Sequence, residues 1–283
     1  GPQHLDLFGS LEAVVRAKGE LLAALPIEGV AVVNGDQAAC IAASAGTRPA
    51  RTIRYGLQAG NAVWAETVDA RRGELSVIVR ADGERATIRV PLFGRLHVSN
   101  LLAAVAGARA LGMPLKRIAD AAAAIRPLPR TMELRLGPKN TLVIDDTYSA
   151  NLDGVLAAFE SLRDVEAATR LVVFSGMIEL GREARSAHRR AGLALAKIRP
   201  ELVILTTTDF AEDVRTGIES VDREALSRFL VDPKGAVSLS RLEPFLGEGA
   251  VLLLEGRIPE RVRASLVGGG RPGGREGLEQ ASQ

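Results

Sequence analysis

The sequence has little of several features that would indicate particular classes of protein. It contains one cysteine, Cys40, among 283 residues, which excludes an internal disulfide and any zinc site built from several cysteines. No run approaches the ~18 uninterrupted apolar residues of a membrane-spanning helix, and the first residues lack the basic and apolar regions of a secretion signal. We therefore expect a cytoplasmic protein that binds no membrane.

Net charge and aromatic content are also low. The 36 basic residues nearly balance the 34 acidic ones, whereas a nucleic-acid-binding protein usually has a concentrated basic face, so no nucleic-acid partner is expected. Aromatic residues make up 4% of the chain. A core of small aliphatic side chains is typical of helices packed on a parallel sheet.

The apolar pattern of the first part of the chain predicts helices and strands together. Predicted helices cover residues 10–25, 100–111 and 115–125, and predicted strands cover residues 29–34, 53–57, 63–68, 74–80 and 85–91. The last three strands alternate apolar and polar residues, which indicates an antiparallel meander with one solvated face. Pro127 and Pro129 then end the helical pattern, and we place a domain boundary there.

Continuous apolar runs alternate with helical segments in the rest of the chain. Predicted strands cover residues 141–144, 171–174, 202–205 and 251–254, and predicted helices cover residues 151–162, 185–197 and 224–230. Such runs separated by helices indicate a parallel sheet covered on both faces. From Val267 the chain is rich in glycine and charge, and we expect it to be disordered.

The chain contains no Gly-x-x-x-x-Gly-Lys-Ser/Thr loop, the motif that cradles nucleotide phosphates. Two candidate groups lie near the N-terminus instead. His4 and Asp6 could hold a divalent cation, or His4 could simply be a surface residue. Lys18, on the first predicted helix, could face an active-site cleft or be solvated.

Two polar loops follow predicted strands. Ligands of open parallel sheets bind at the carboxyl ends of the strands, so Asp145 and Asp146 could accept ribose hydroxyls there and Tyr148 could stack on a base. The two aspartates could equally cap the helix that follows. The segment Gly176–Gly181, with His188 on the next helix, is a second and weaker candidate.

Five segments occur in an order that is found in one enzyme family. They are Gly1–Leu22 (GPQHLDLFGSLEAVVRAKGELL), Ala31–Gln37 (AVVNGDQ), Pro91–Gly112 (PLFGRLHVSNLLAAVAGARALG), Asp145–Val155 (DDTYSANLDGV) and Ser175–His188 (SGMIELGREARSAH). Together they resemble the Mur ligases, which are ATP-dependent amide ligases. The resemblance is strongest to the members that add D-alanyl-D-alanine to UDP-N-acetylmuramoyl-tripeptide.

The resemblance implies an α/β chain of two domains. A partial Mur-ligase central domain, with helices and a mixed sheet, would cover residues 1–127, and a Rossmann-like parallel-sheet C-terminal domain would cover residues 128–266, before a disordered tail at 267–283. In such enzymes ATP phosphorylates a carboxylate and an amine attacks the acyl phosphate, with Mg²⁺ bridging the phosphates. The implied cofactors are ATP and Mg²⁺, and the implied partners are a UDP-linked muramoyl peptide and D-Ala-D-Ala. We expect a monomer.

The resemblance also implies roles for residues of the central domain. His4 matches a histidine that helps to hold a magnesium ion, and Lys18 matches a lysine that supports that metal, so both are candidate catalytic and metal-site residues. Asn100 matches an asparagine near the adenine. Leu96-His97 stands where the family usually has His-Asn, so His97 would replace an amide that contacts the adenine.

For the C-terminal domain, the resemblance implies a nucleotide loop and a substrate loop. Asp146 matches an aspartate close to the ribose, and Tyr148 and Asn151 complete that loop. Glu179 and His188 match a Glu-Leu-Gly…His segment near the incoming dipeptide.

Several positions depart from the family pattern. Thr131 aligns with a usual arginine, for which Arg130 could substitute after a one-residue slip, and Gly176 stands where aspartate is usual. The segment Glu255-Gly256-Arg257 replaces the usual Lys-Gly-Ser, which reverses a charge in a site built for anions.

Because the phosphate-binding loop would precede Gly1, we predict that these 283 residues cannot catalyse ligation alone. Two alternatives stay open at the level of sequence. The parent could be another amino-acid ligase of the superfamily, or the chain could be a ligase-derived domain that binds a nucleotide or a protein partner without catalysis.

Overall fold

The computed structural model of the protein describes residues 8–45, 51–71 and 73–268. These residues form two compact units, the first ending at residue 126 and the second beginning at residue 127. No helix in these ranges is both long and apolar enough to cross a membrane. His4, Asp6 and the predicted disordered tail beyond Gly268 lie outside the described residues.

The first unit is a five-stranded mixed sheet, in the order β1-β2-β3-β4-β5, with helices packed against it. Its strands are β1 (Val30–Asn34), β2 (Arg51–Gly56), β3 (Val63–Arg71), β4 (Glu74–Ala81) and β5 (Glu84–Val90), and its helices are α1 (Leu11–Ala23), α2 (Ala38–Ser44), α3 (His97–Ala110) and α4 (Leu115–Ala122). The first three strands are parallel, and β3, β4 and β5 form the predicted antiparallel meander. Only α2 was not predicted.

Local sequence explains the boundaries in this unit. The Oγ atom of Ser10 accepts the N–H of Ala13 at 3.2 Å, which caps the N-terminus of α1. Asp82 and Gly83 both have positive φ angles, 50° and 80°, as a two-residue hairpin between β4 and β5 requires. Alternate residues of β4 are buried against the helices, so the meander has one apolar face.

The second unit is a six-stranded sheet in the order β10-β9-β8-β11-β7-β6. Its strands are β6 (Glu133–Leu136), β7 (Leu142–Asp146), β8 (Thr169–Phe174), β9 (Leu202–Leu205), β10 (Phe229–Val231) and β11 (Ala250–Glu255), and its helices are α5 (Leu152–Asp164), α6 (Ala184–Ile198), α7 (Ala211–Glu219), α8 (Ser238–Leu242) and α9 (Glu260–Leu266). All neighbouring strands are parallel except β6, which is antiparallel to β7 at the edge. The predicted α/β class is confirmed.

Several elements of this unit differ from the sequence-based expectation, and helices α7, α8 and α9 were not predicted. The predicted helix over residues 224–230 is wrong, because Arg223–Arg228 forms a 3₁₀ helix and Phe229–Val231 forms strand β10, which pairs with β9. Aromatic and β-branched residues favour a sheet edge over a helix. The edge strand β6 was not predicted either, because four residues carry too little pattern to identify a strand.

The two faces of the central strand β11 pack against different helices. Leu252 and Leu254 pack with Leu242 of α8 and Val262 of α9. Because side chains alternate along a strand, Leu253 and Glu255 point to the opposite face, which α5 covers. This alternation places the last residue of β11, Glu255, on the face that α5 covers.

Helices α6 and α7 cross at unusually close range because each contributes a glycine to the contact. A Cβ atom added at Gly192 would collide with the carbonyl oxygen of Val214, and one added at Gly217 would collide with the carbonyl oxygen of Arg189. The obstructing atoms belong to helix backbones, which cannot rotate away.

We therefore predict that Gly217→Ala destabilises the second unit by about 1–3 kcal/mol, although alanine is the better helix former. Gly107→Ala in α3 is the matched control, since a Cβ atom there meets nothing within 4 Å, and it should stabilise its helix by up to about 1 kcal/mol. Urea unfolding followed by circular dichroism measures both. A Gly217→Ala variant as stable as the unaltered chain would show that the helices are not in close contact.

Candidate functional site

A cleft of about 350 Å³ lies where the loops following β7, β8 and β11 meet in the second unit. Ligands of open parallel sheets bind at this end of the strands. The lining residues are Tyr148, Ser149, Ala150, Asn151, Ser175, Gly176, Ile178, Glu179, Leu180 and Arg257. Three of the predicted site residues, Tyr148, Asn151 and Glu179, are thus brought together.

The loop between β7 and α5 forms one wall of the cleft. The Oδ1 atom of Asn151 accepts the N–H of Gly154 at 3.0 Å, so Asn151 caps the 13-residue helix α5. The side chain of Tyr148 is 70% exposed, which leaves its ring available for contact with a ligand. The cap belongs to Asn151, and neither Asp145 nor Asp146 occupies that position.

The loop after β8 forms the opposite wall, and His188 supports it from below. The His188 side chain is fully buried; its Nε2 atom accepts the N–H of Met177 at 3.0 Å and its Nδ1 atom lies 2.7 Å from the carbonyl oxygen of Ala184. Burial lowers the pKa of His188, which favours the neutral ring with the proton on Nδ1. Because both ring nitrogens are occupied, His188 holds the loop in place, and its role towards a substrate stays a prediction.

Asp145 is neutralised by an arginine from α9. The carboxylate of Asp145 is fully buried and lies 2.8 Å from Nη2 of Arg263. The hydroxyl of Thr147 donates to Asp145 at 2.6 Å. Arg130 donates from Nε to the hydroxyl of Thr147 at 2.9 Å and from Nη2 to its carbonyl oxygen at 3.1 Å. Two arginines therefore fix the residues that precede Tyr148.

Asp146 and Glu255 end neighbouring strands in register, and their carboxyl groups share a hydrogen bond. Asp146 is 9% exposed and Glu255 is 1% exposed. Burial raises the pKa of Asp146 to about 6, and burial together with the charge of Asp146 raises the pKa of Glu255 well above its ordinary value. The N–H of Met132 also donates to Asp146, at 3.1 Å, which favours the ionised form of Asp146 and leaves Glu255 as the partner that favours a proton.

This pair corrects one expectation from the sequence. The replacement of a usual lysine by Glu255 was expected to reverse the charge of an anion site, yet the Glu255 side chain is buried, and burial raises its pKa, which favours the neutral carboxyl group. Of the segment Glu255-Gly256-Arg257, the residue that lines the cleft is Arg257, which is exposed. The segment therefore still supplies a positive charge, at a position two residues further on.

The remaining predicted site residues lie in the first unit or outside the described ranges. His97 and Asn100 occupy the first turn of α3, where His97 is buried and Asn100 is exposed. The Nε2 atom of His97 is buried and has no hydrogen-bond partner in the part of the chain described, and burial lowers the pKa of the ring. Lys18 is exposed on α1. The roles of these three residues stay predictions.

Mg²⁺ prefers carboxylate oxygens as ligands. No group of three or more His, Cys, Asp and Glu side chains within the described ranges is arranged to hold a metal ion. His4 and Asp6 lie outside those ranges.

The sequence did not reveal that Arg257 lines the cleft, nor that buried charged residues at the ends of β7 and β11 lie next to it. Arg263 and Glu255 lie far from Asp145 and Asp146 in sequence, and the parallel pairing of β7 with β11 brings them together. The acidic residues that end β7 and β11 were a usable signal, since a carboxylate next to a buried strand needs a partner.

Two family models match the chain. The Mur ligase middle domain matches residues 1–108, and the Mur ligase, glutamate ligase domain matches residues 130–257.

Individual proteins agree with the family models. The UDP-N-acetylmuramoyl-tripeptide–D-alanyl-D-alanine ligase of Synechocystis sp. is 30% identical over 80% of this chain and 48% of its own length. The ligase of the same name from Escherichia coli is 30% identical over 68% of this chain and 42% of its own length. The structure of MurF ligase from Thermotoga maritima in complex with ADP has the same fold, with a TM-score of 0.77 at 19% identity over 94% of this chain and 58% of that one. The chain thus spans about half the length of the curated relatives it matches.

We predict that Glu255→Gln makes the second unit more stable than the unaltered chain as the pH rises above about 4.5. The carboxyl groups of Asp146 and Glu255 have folded-state pKa values above their unfolded values. Their contribution is therefore complete below the unfolded pKa and is lost as the pH rises through the raised pKa of each group, which for Asp146 is about 6. Glutamine is neutral at every pH and can still donate to Asp146.

The free energy of unfolding of both chains, measured in urea between pH 4 and pH 8, tests this expectation. The difference between them should grow by at most about 1.4 kcal/mol per pH unit. Glu160→Gln on the exposed side of α5 is the control and should show no such trend. A difference for Glu255→Gln that is the same at pH 5 and pH 8 would mean that Glu255 is ionised in the folded state.

Proposed function

The chain belongs to the Mur ligase family, and we propose that it is the central and C-terminal part of an ATP-dependent ligase that adds D-alanyl-D-alanine to UDP-N-acetylmuramoyl-tripeptide. The observation that carries this proposal is that both curated relatives described above bear that name and are aligned across both units of the chain. Because the chain spans about half of each relative, we assign the activity to a longer protein that contains it.

The two units would have different tasks in this reaction. We propose that residues 1–127 belong to the central domain that handles ATP and residues 128–266 to the C-terminal domain, whose cleft receives a ligand. In that cleft Tyr148 and Asn151 would serve the nucleotide, with the buried Asp146 next to them in the chain, and Glu179 would serve the incoming dipeptide. His188 would act as a positioning residue, since its ring nitrogens are engaged with the loop.

ATP is the proposed cofactor, and the polar groups around the cleft support this choice. Tyr148 presents an exposed ring, and the N-terminus of α5, capped by Asn151, offers the positive end of a helix dipole. A related fold binds ADP in the Thermotoga maritima structure. ATP would supply the phosphoryl group that activates the substrate carboxylate, and Mg²⁺, His4 and Lys18 would belong to that step.

A ligation assay tests the proposed function. The reaction contains ATP, UDP-N-acetylmuramoyl-tripeptide and D-Ala-D-Ala, and phosphate release is measured. The longer protein that contains this chain should release phosphate only when both substrates are present, and the 283 residues alone should release none, because they lack a phosphate-binding loop. Phosphate release by the 283-residue chain, or none by the longer protein, would contradict the proposal.

The proposed role of Lys18 can be tested in the same assay. Lys18→Ala should lower kcat by about 100-fold in the longer protein, the usual effect of removing a group that stabilises developing charge. Arg16→Ala, which removes a basic side chain from the same exposed helix, should leave kcat unchanged. Equal kcat values for the two variants would show that Lys18 has no role in the reaction.

A further inference from the structure

Among the described residues that line the cleft of the second unit, Arg257 is the one cationic side chain. Glu179 is the other charged residue of that described lining. Other arginines around the strand ends are engaged, since Arg263 pairs with Asp145 and Arg130 binds Thr147. Arg257, by contrast, is exposed, and its guanidinium makes no ion pair or hydrogen bond with any residue in the described part of the chain. Its charge is available to a ligand.

The backbone that carries Arg257 is held rigidly. The N–H of Gly256 donates to the carbonyl oxygen of Asp146 at 2.9 Å, and the N–H of Ile258 donates to the carbonyl oxygen of Gly256 at 2.8 Å. Glu255 and Ile258 are both buried. Gly256 has a φ angle of 77°, and a Cβ atom there would collide with the hydroxyl of Ser175. The backbone at Arg257 therefore needs no ordering when a ligand binds, and only the side chain loses freedom.

The groups beneath the cleft do not cancel this charge by pairing with it. Glu255, two residues before Arg257, is buried and hydrogen-bonded to Asp146. Asp146 in turn accepts the N–H of Met132, and Asp145 is paired with Arg263. On the other side of the cleft, the N-terminus of α5 adds the positive end of a helix dipole. Arg257 and α5 therefore both favour a negative group.

We propose that Arg257 binds an oxyanion of the ligand in this cleft and determines which ligand the cleft accepts. A guanidinium group can donate two parallel hydrogen bonds to a carboxylate or a phosphate. Within the proposed function, on which this inference rests, two ligands carry such a group. The oxyanion is the carboxylate of D-Ala-D-Ala or a phosphate of the nucleotide.

Binding to the 283-residue chain tests this proposal without requiring ligation. Amide resonances of an isotope-labelled chain are followed by NMR during separate titrations with ADP and with D-Ala-D-Ala. For the ligand that contacts Arg257, Arg257→Ala should raise the Kd by about 10-fold or more, the usual effect of losing a charge-assisted hydrogen bond. Arg257→Lys keeps the positive charge but loses the planar guanidinium group. Its Kd should therefore lie between that of the unaltered chain and that of Arg257→Ala.

Arg241→Ala is the matched control, because Arg241 is an exposed arginine on α8 that does not line the cleft. It should leave both Kd values unchanged. Loss of D-Ala-D-Ala affinity alone identifies the oxyanion as the carboxylate, and loss of ADP affinity alone identifies it as a phosphate.

Two outcomes would overturn the inference. One is a Kd for both ligands that is the same in Arg257→Ala as in the unaltered chain, and the other is no saturable binding of either ligand to the unaltered chain. Neither outcome decides the proposed function, which the ligation assay of the longer protein tests separately. Conversely, the longer protein could fail to catalyse ligation while the 283-residue chain binds a ligand through Arg257. The cleft would then be an anion-binding site in a protein of different activity.

Discussion

Strands β7 and β11 end side by side in carboxyl groups that are out of contact with water, and the second unit depends on how those charges are compensated. An ionised carboxylate left buried without a partner destabilises a protein by several kcal/mol. The alternation of side chains along the strands allows two different solutions. Asp145 pairs with Arg263 and Thr147 on one face, and Asp146 lies on the other beside Glu255, whose raised pKa favours a neutral carboxyl group. Because the partners come from different parts of the chain, the same contacts that remove the charge also fix the ends of both strands.

The cleft is a consequence of that arrangement. Asp145 and Asp146 immediately precede the loop that carries Tyr148 and Asn151, and Glu255 immediately precedes the turn at Gly256 that directs Arg257 to the cleft. Burial of a neutral Glu255 makes the replacement of a usual lysine compatible with an anion site, since the positive charge comes from Arg257. In a Mur ligase this arrangement would place the positive charge of Arg257 near the ligand. The carboxyl group of Glu255 in β11 would not add a negative charge beside that ligand.

Much of the fold could be predicted from the sequence, because strands such as β8 and β11 are apolar at nearly every position and are followed by clear helical patterns. The short strands β6 and β10 could not, since three or four residues carry little periodicity. For the candidate site, the strand-end rule identified the loops that hold Tyr148, Asn151 and Glu179. The protonation of Glu255 could not be predicted, because it depends on a neighbour in β7 that is remote in sequence. Likewise, the occupied ring nitrogens of His188 depend on the conformation of the loop after β8.

The protonation state of Glu255 at neutral pH is the most direct test of this account. The side-chain carboxyl ¹³C resonance of Glu255, assigned by its loss in Glu255→Gln, can be followed by NMR between pH 4 and pH 9. The account predicts that at pH 7 this resonance keeps the chemical shift of a protonated carboxyl group while Asp146 has that of a carboxylate. A Glu255 resonance at the carboxylate position at pH 7 would contradict the account, because a second buried charge would then lie beneath the cleft.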